Sequence, residues 1–75
     1  MRLPIEQYVV DIVTKLRNDN KLSQRAFADR IGLSAGFIGD IESNREGSNY
    51  NLEHINIIAK EFNLPPKFFL PDKAL

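Results

Sequence analysis

Cysteine is absent from the chain and histidine occurs only once, so the sequence holds neither a disulfide framework nor a set of zinc ligands. We therefore expect no metal and no cofactor. Apolar runs are short as well: none approaches the roughly 18 residues that a membrane-spanning helix needs, and the N-terminus lacks the apolar segment of a signal peptide. These absences favour a soluble, cytoplasmic protein.

A surplus of charge of one sign is also missing. Ten Lys and Arg residues balance ten Asp and Glu residues, so we expect no binding of nucleic acid through bulk charge, although a local basic surface is compatible with this balance. The chain has 75 residues, of which 43% are hydrophobic, and this suffices for one compact domain over residues 1–75.

Hydrophobic residues recur with the period of a helix along most of the chain. The first stripe consists of Ile5, Tyr8, Val9, Ile12, Val13 and Leu16. Because proline is tolerated in the first turn, Pro4 marks the start of a helix predicted over about residues 4–18. Ser23 and Ser34 are candidate N-caps of two short helices, and Gly32 lies between them.

The second half of the chain is also predicted to be helical. The short helices extend over 24–31 and 35–43, a polar loop follows over 44–51, and a fourth helix covers 52–62. A fifth, very short helix is predicted over 66–70. Since no segment alternates with a period of two residues, we expect an all-α fold of five short helices around one core.

The functional signal lies between Leu22 and Glu42. Two short helices are joined there by a tight turn at Gly32, which can adopt the left-handed backbone conformation, and the small Ala28 allows the helices to approach closely. This pattern predicts a helix-turn-helix motif over residues 23–43. A second helix that protrudes from such a motif fits the DNA major groove, which is about 12 Å wide.

The segment resembles the lambda-repressor-like (Xre/Cro/CI) helix-turn-helix family over roughly residues 8–70. The matching residues are Leu22-Ser23-Gln24, Ala28, Ile31-Gly32-Leu33-Ser34, Ile38, Ile41-Glu42, Ile58-Ala59 and Phe62-Asn63-Leu64. The resemblance implies a transcriptional regulator that binds double-stranded DNA. It also implies a partly buried ion pair between Arg17 and Glu42, which would link the first and third helices.

The resemblance further implies roles for residues at the DNA surface. Gln24 falls where the family contacts a phosphate, and Ala35, Gly36, Gly39 and Asp40 fall where it places groove-facing side chains. Additional phosphate contacts are expected from a basic segment over 15–30, which has five Lys or Arg residues against two Asp residues. The full set of predicted DNA contacts is Gln24, Arg25, Ser34, Ala35, Gly36, Phe37, Gly39, Asp40, Asn44 and Arg45.

Four of these residues have an alternative interpretation. Gln24 and Arg25 can instead be solvated residues of the second helix without a phosphate contact. Ser34 is more securely an N-cap, and Phe37 is either a packing residue or an apolar contact to DNA or to a partner. The predicted reading face also lacks the long Arg, Lys, Asn and Gln side chains that recognise guanine and adenine. Two alternatives to the DNA-binding regulator therefore remain. One is a protein-interaction module, and the other is an antitoxin component that binds both an operator and a partner protein.

Only a few residues bear on the oligomeric state and on whether the chain is an enzyme. Phe68, Phe69 and Leu70 cannot all point into one core, so part of this surface is a candidate interface of a homodimer on a two-fold-related DNA site. Asp40 and Glu42 lack the cleft and the nucleophile that an active site requires. We therefore do not expect an enzyme.

Overall fold

The computed structural model describes residues 2–75, apart from the side chain of Glu46. Four α-helices follow one another, with two short 3-10 turns between and after them, and no strand occurs within the described residues. The helices are α1 (Pro4–Asp19), α2 (Gln24–Ile31), α3 (Ala35–Glu42) and α4 (Leu52–Glu61), and the 3-10 turns cover Arg45–Gly47 and Pro66–Phe69. The predicted all-α class is confirmed.

The predicted fifth helix is a 3-10 turn rather than an α-helix. Pro65, Pro66 and Pro71 enclose it, and proline has no backbone N–H to donate, so too few residues remain for α-helical hydrogen bonding. Phe69 is fully buried, whereas Phe68 and Leu70 are each 45% exposed. The prediction that these three residues cannot share one core is confirmed.

The caps of α2 and α3 determine the geometry of the motif between them. The Ser23 hydroxyl accepts a hydrogen bond from the Ala26 N–H, and the Ser34 hydroxyl accepts one from the Phe37 N–H, each at 3.0 Å. Gly32 ends α2 with φ of 74°, a left-handed conformation in which glycine has no steric penalty. The tight turn that the sequence predicts at Gly32 is therefore present.

One hydrophobic core holds the helices together. Its fully buried side chains are Val13, Phe27, Ala28, Ile38, Ile41, Ile58 and Phe69. They come from all four helices and from the last 3-10 turn, so α2 and α3 are fixed on a scaffold of α1 and α4. Burial of this kind leaves the outer side of α3 available for other contacts.

Arg2 connects the N-terminus to the end of α3 and to the loop over 44–51. Its guanidinium donates hydrogen bonds to the Ile41 carbonyl at 2.7 Å, to the Ser48 carbonyl at 2.9 Å and to Asn49 Oδ1 at 2.7 Å. A cation at the C-terminus of a helix also interacts favourably with the helix dipole. Arg2 therefore stabilises the backbone that follows α3.

Candidate nucleic-acid interface

Small residues give the outer side of α3 a shallow, open hollow. The hollow has a volume of about 440 Å³ and is lined by Gln24, Ala35, Gly36, Gly39, Asp40, Ser43 and Arg45. Six of the ten predicted DNA contacts thus lie on one surface, which we call the α3 hollow. Gly36 is exposed, and a Cβ atom added there would meet nothing within 4 Å. The fold itself therefore does not require glycine at this position.

An ion pair between Arg17 and Glu42 joins α1 to α3 directly behind this surface. Arg17 Nη2 lies 2.7 Å from Glu42 Oε1 and Nε lies 2.8 Å from Oε2, and the two side chains are only 13% and 11% exposed. The hydrogen bond to Glu42 raises the pKa of Arg17 further above its already high value. Two parallel hydrogen bonds define a single relative orientation of the two helices. The ion pair implied by the family resemblance is present.

Gln24 belongs to the same network. Its side-chain Nε2 donates to Glu42 Oε1 at 3.0 Å, and its Oε1 would lie 3.3 Å from a Cβ atom at Gly39. The amide nitrogen carries a second hydrogen that can reach another acceptor. The network therefore holds Gln24 at the edge of the α3 hollow, in an orientation that faces the outer surface of α3.

Most cations of the predicted basic segment have acidic partners. Lys15 pairs with Asp19 at 2.8 Å and Arg25 with Asp29 at 3.7 Å. Arg30 pairs with Glu61 at 3.1 Å, and its guanidinium lies 4.5 Å from the centre of the Phe62 ring. The positive charge available to a ligand is consequently smaller than the sequence count over 15–30 indicates.

Three exposed cations near α2 and α3 stay available to a ligand: Lys21, Arg25 and Arg45. Arg25 follows Gln24 in the chain and is 80% exposed, so its long ion pair contributes little and is readily exchanged for a phosphate. Arg45 lines the hollow at the C-terminal end of α3. Lys21 and Arg45 form no ion pair with any side chain that the structure describes. These three cations are the phosphate-binding candidates of this surface.

Residues 13–69, from the middle of α1 to the last 3-10 turn, match the family model described as helix-turn-helix, the Xre or lambda-repressor-like type. The chain belongs to this helix-turn-helix family. A search of the curated proteins finds no sequence match. The family is one of DNA-binding domains, which gives the exposed side of α3 its interpretation as a nucleic-acid interface.

Four predicted contacts of this helix-turn-helix protein lie outside the hollow: the exposed Arg25, and Phe37, Ser34 and Asn44. Phe37 is half-buried, and its ring lies 5.1 Å from that of His54 and 6.4 Å from that of Tyr50, so it packs towards α4. Ser34 is exposed and caps α3. Asn44 is exposed and adopts a left-handed conformation with φ of 56° directly after α3. Phe37 therefore has packing partners within the protein, and Ser34 is the N-cap of α3, as the alternative interpretations of these two residues predict.

Two residues with structural importance were not predicted from the sequence. The partners of Arg2 are 39 to 47 residues away, and no helical or motif spacing points to them. Tyr50 has a buried hydroxyl that finds no hydrogen-bond partner among the described residues, and it lies in a loop where periodicity carries no information. Burial raises the pKa of the Tyr50 phenol, and the nearby carboxylate of Glu42 raises it further.

The part of this helix-turn-helix protein that the structure describes contains no helix that is both long and apolar enough to span a bilayer. Within the same residues, no three side chains of the His, Cys, Asp or Glu type come together as metal ligands.

Proposed function

We propose that residues 1–75 act as one DNA-binding domain that binds double-stranded DNA with sequence preference, as a small transcriptional regulator of the cytoplasm. We further propose that it binds as a homodimer and catalyses no reaction. The observation that supports this function is the exposed outer side of α3, presented after the Gly32 turn with Gln24 at its edge and Arg45 at its C-terminal end. In this family α3 is the helix that enters the major groove.

The N-terminus of α2 supplies a phosphate contact in this proposal. The first backbone N–H groups of a helix have no partner within the helix, and they favour an anion together with the helix dipole. Gln24 begins α2, and its amide is held at the edge of the hollow by Glu42. Lys21, Arg25 and Arg45 would hold the same DNA backbone, so only a few phosphates are contacted by each copy.

Base recognition in this proposal relies on small side chains. Ala35 can contact a thymine methyl group, and Asp40 can accept a hydrogen bond from the N4 amine of cytosine. Because Gly36 and Gly39 have no side chain, the α3 backbone can come closer to the floor of the groove than a helix with long side chains. Sequence-dependent shape of the DNA supplies the rest of the selectivity.

A salt titration of duplex binding tests this function. We expect the affinity to fall with increasing salt, with a log–log slope of about −0.9 for each phosphate that is neutralised. Arg25→Gln and Arg45→Gln should each reduce the magnitude of that slope by about 1. Lys60→Gln, an exposed position at the far end of α4, is the matched control. Absence of duplex binding at low salt, over a pool of random sequences, would contradict the proposal.

A protein-interaction module is the second candidate function, and an antitoxin component is a variant of it. The shortage of long side chains on α3 and the ion pairs of Lys15, Arg25 and Arg30 favour it. Gly36→Leu distinguishes the candidates, because the open space around Gly36 lets the fold accept the new side chain. If duplex binding is unchanged while binding to a partner protein is lost, the interaction module is the correct function.

A further inference from the structure

An apolar groove lies on another part of the surface, between the start of α1 and the start of α4. Its volume is about 360 Å³, and its apolar lining consists of Ile5, Val9, Tyr50, Leu52, Ile55 and Leu70. Val9 and Ile55 are only 9% and 6% exposed and form its floor. Leu52 is 82% exposed at its rim, more than any other large hydrophobic side chain that the structure describes. We call this surface the Leu52 groove.

We propose that the Leu52 groove is the surface through which two copies of this chain associate, an inference that rests on the homodimer of the proposed function. Glu6 is the one charged residue that lines the groove, and its carboxylate already accepts a hydrogen bond from the Leu3 N–H at 2.8 Å. A cationic partner would find only this one carboxylate there, and an anionic partner would find no countercharge. The occupant therefore presents an apolar surface.

The chain's own surface meets that requirement. A two-fold interface brings the same patch of both copies together, so the patch must contain both a protruding and a receiving part. Leu52 protrudes at the rim, and the floor of Val9 and Ile55 receives. Ile5 and Leu70, which are 37% and 45% exposed, also line the groove and offer apolar surface to an inserted side chain. Hence each Leu52 can enter the groove of the other copy.

The apolar area is sufficient for a small dimer interface. The chain exposes 4992 Å², and a specific interface covers about a tenth of a small protein's surface, or about 500 Å² for each copy. Since about 65% of a homodimer interface is apolar, roughly 300 Å² of apolar surface is needed. Leu52, Leu70 and Ile5 supply most of this area, and an exposed apolar patch of a few hundred Å² on a monomer is often an interaction site.

The Leu52 groove leaves the DNA surface free. None of the residues that line the groove also lines the α3 hollow, and the two surfaces lie at opposite ends of the loop over 44–51. Both can therefore be occupied at the same time. A dimer formed this way presents two α3 helices to one duplex, and the first contact raises the effective concentration of the second. Such avidity compensates for the few contacts that one copy makes.

Leu52→Asp in the full chain tests this interface without disturbing the fold. Leu52 is the first residue of α4, a position where a carboxylate interacts favourably with the helix dipole. Leu75→Asp is the matched control, because Leu75 is 67% exposed and does not line the groove. Molar mass is measured by sedimentation equilibrium over a dilution series without DNA, and circular dichroism verifies folding.

We expect a dimer for the wild type, Leu75→Asp and Leu52→Met, and a dimer dissociation constant at least ten times higher for Leu52→Asp. In methyl NMR spectra, dilution of the wild type should shift the signals of Ile5, Leu52 and Leu70. If Leu52→Asp dimerises as tightly as the wild type, the Leu52 groove is not the interface, although the proposed homodimer stands. A wild type that is monomeric at all concentrations overturns both. Binding of a single duplex half-site is measured separately, so the DNA-binding function stands or falls on its own result.

Discussion

At the residue scale, Gly36 shows where folding and binding make different demands. Its surroundings are open, and its backbone conformation is helical, so nothing inside the protein requires glycine. Glycine in a helix is nevertheless less stable than alanine by roughly 0.5–1 kcal/mol. In the proposed function, a bare position is useful here because it lets the α3 backbone approach DNA closely.

Replacement of Gly36 by alanine should therefore stabilise the protein. We expect Gly36→Ala to raise the free energy of unfolding by about 0.5 kcal/mol, near the lower end of the range because Gly36 lies in the first turn of α3. Urea denaturation at an unchanged m-value measures this gain. Gly32→Ala is the control, and it should lower the stability since φ at Gly32 is 74°. A loss of stability in Gly36→Ala would show that the space around it is not open.

The ion pair of Arg17 and Glu42 gives a second prediction at this scale. Glu42→Gln leaves the Arg17 guanidinium, which is 13% exposed, without its countercharge. Removal of one partner of a buried pair typically lowers stability by about 3–5 kcal/mol, and we expect the lower end of this range because both side chains retain some exposure. Lys15→Gln, which disrupts a pair whose side chains are 72% and 60% exposed, is the control and should change stability by less than about 1 kcal/mol. A Glu42→Gln effect as small as that of Lys15→Gln contradicts the prediction.

Tyr50 gives a prediction for alkaline solution. Because burial raises its pKa, the folded protein retains a proton that the unfolded chain releases, so the free energy of unfolding falls as the pH rises above about 10. Tyr50→Phe removes this loss. It should also stabilise the protein by about 1 kcal/mol near neutral pH, since no side chain or backbone group in the described part of the chain bonds to the buried hydroxyl. Thermal unfolding from pH 7 to 11 measures both effects, with Tyr8→Phe as control. A Tyr50→Phe variant less stable than the wild type at pH 7 refutes this account.

At the scale of the elements, local chemistry was sufficient to predict most of the fold. The caps at Ser23 and Ser34 and the glycine at the end of α2 are local features, so α2 has its predicted bounds, and α3 begins where predicted and ends one residue earlier, at Glu42. The last segment, over 66–70, has the pattern of a helix, but its prolines permit only a 3-10 turn.

The surface of α3 was harder to predict than its position. The sequence identifies which residues are small, but the hollow between Gln24 and Arg45 depends on how α2 packs against α3. Likewise, the charge count over 15–30 does not reveal that Arg30 pairs with Glu61, because that pair joins α2 to α4. Contacts between distant segments carry no local signature, and this applies most clearly to Arg2.

Arg2 supplies the prediction that belongs to this scale. Its side chain joins the segment before α1 to the Ile41 carbonyl in α3 and to Ser48 and Asn49 in the loop over 44–51. Arg2→Ala should lower the stability by about 1–3 kcal/mol and accelerate amide hydrogen exchange in that loop. Arg2→Lys should recover only part of the loss, because an ammonium group cannot reproduce the planar fork of the guanidinium. Unchanged exchange in the loop would mean that these hydrogen bonds contribute little to its order.

At the scale of the whole molecule, two surfaces that share no residue have separate proposed roles, one in DNA binding and one in dimerisation. As proposed, the α3 hollow makes few contacts to DNA and the Leu52 groove joins two copies; the residues that line them do not overlap. A domain that binds DNA weakly on its own becomes selective when two copies are held at a fixed separation, because both copies must then bind their half-sites together. The spacing of the half-sites is therefore a property of the dimer and not of α3.

That spacing gives the last prediction. Duplexes selected by the wild type from a random pool should contain two inverted half-sites whose centres are separated by about one helical turn, or 10–10.5 base pairs, or a multiple of it. Insertion of five base pairs turns one half-site to the opposite side of the duplex, so the wild type should lose most of its cooperative affinity. Leu52→Asp should bind weakly to both duplexes and show no dependence on spacing, while Leu75→Asp behaves like the wild type. If the wild type binds both duplexes equally well, the two α3 helices are not held at a fixed distance, and the dimer does not contribute to recognition in the way proposed.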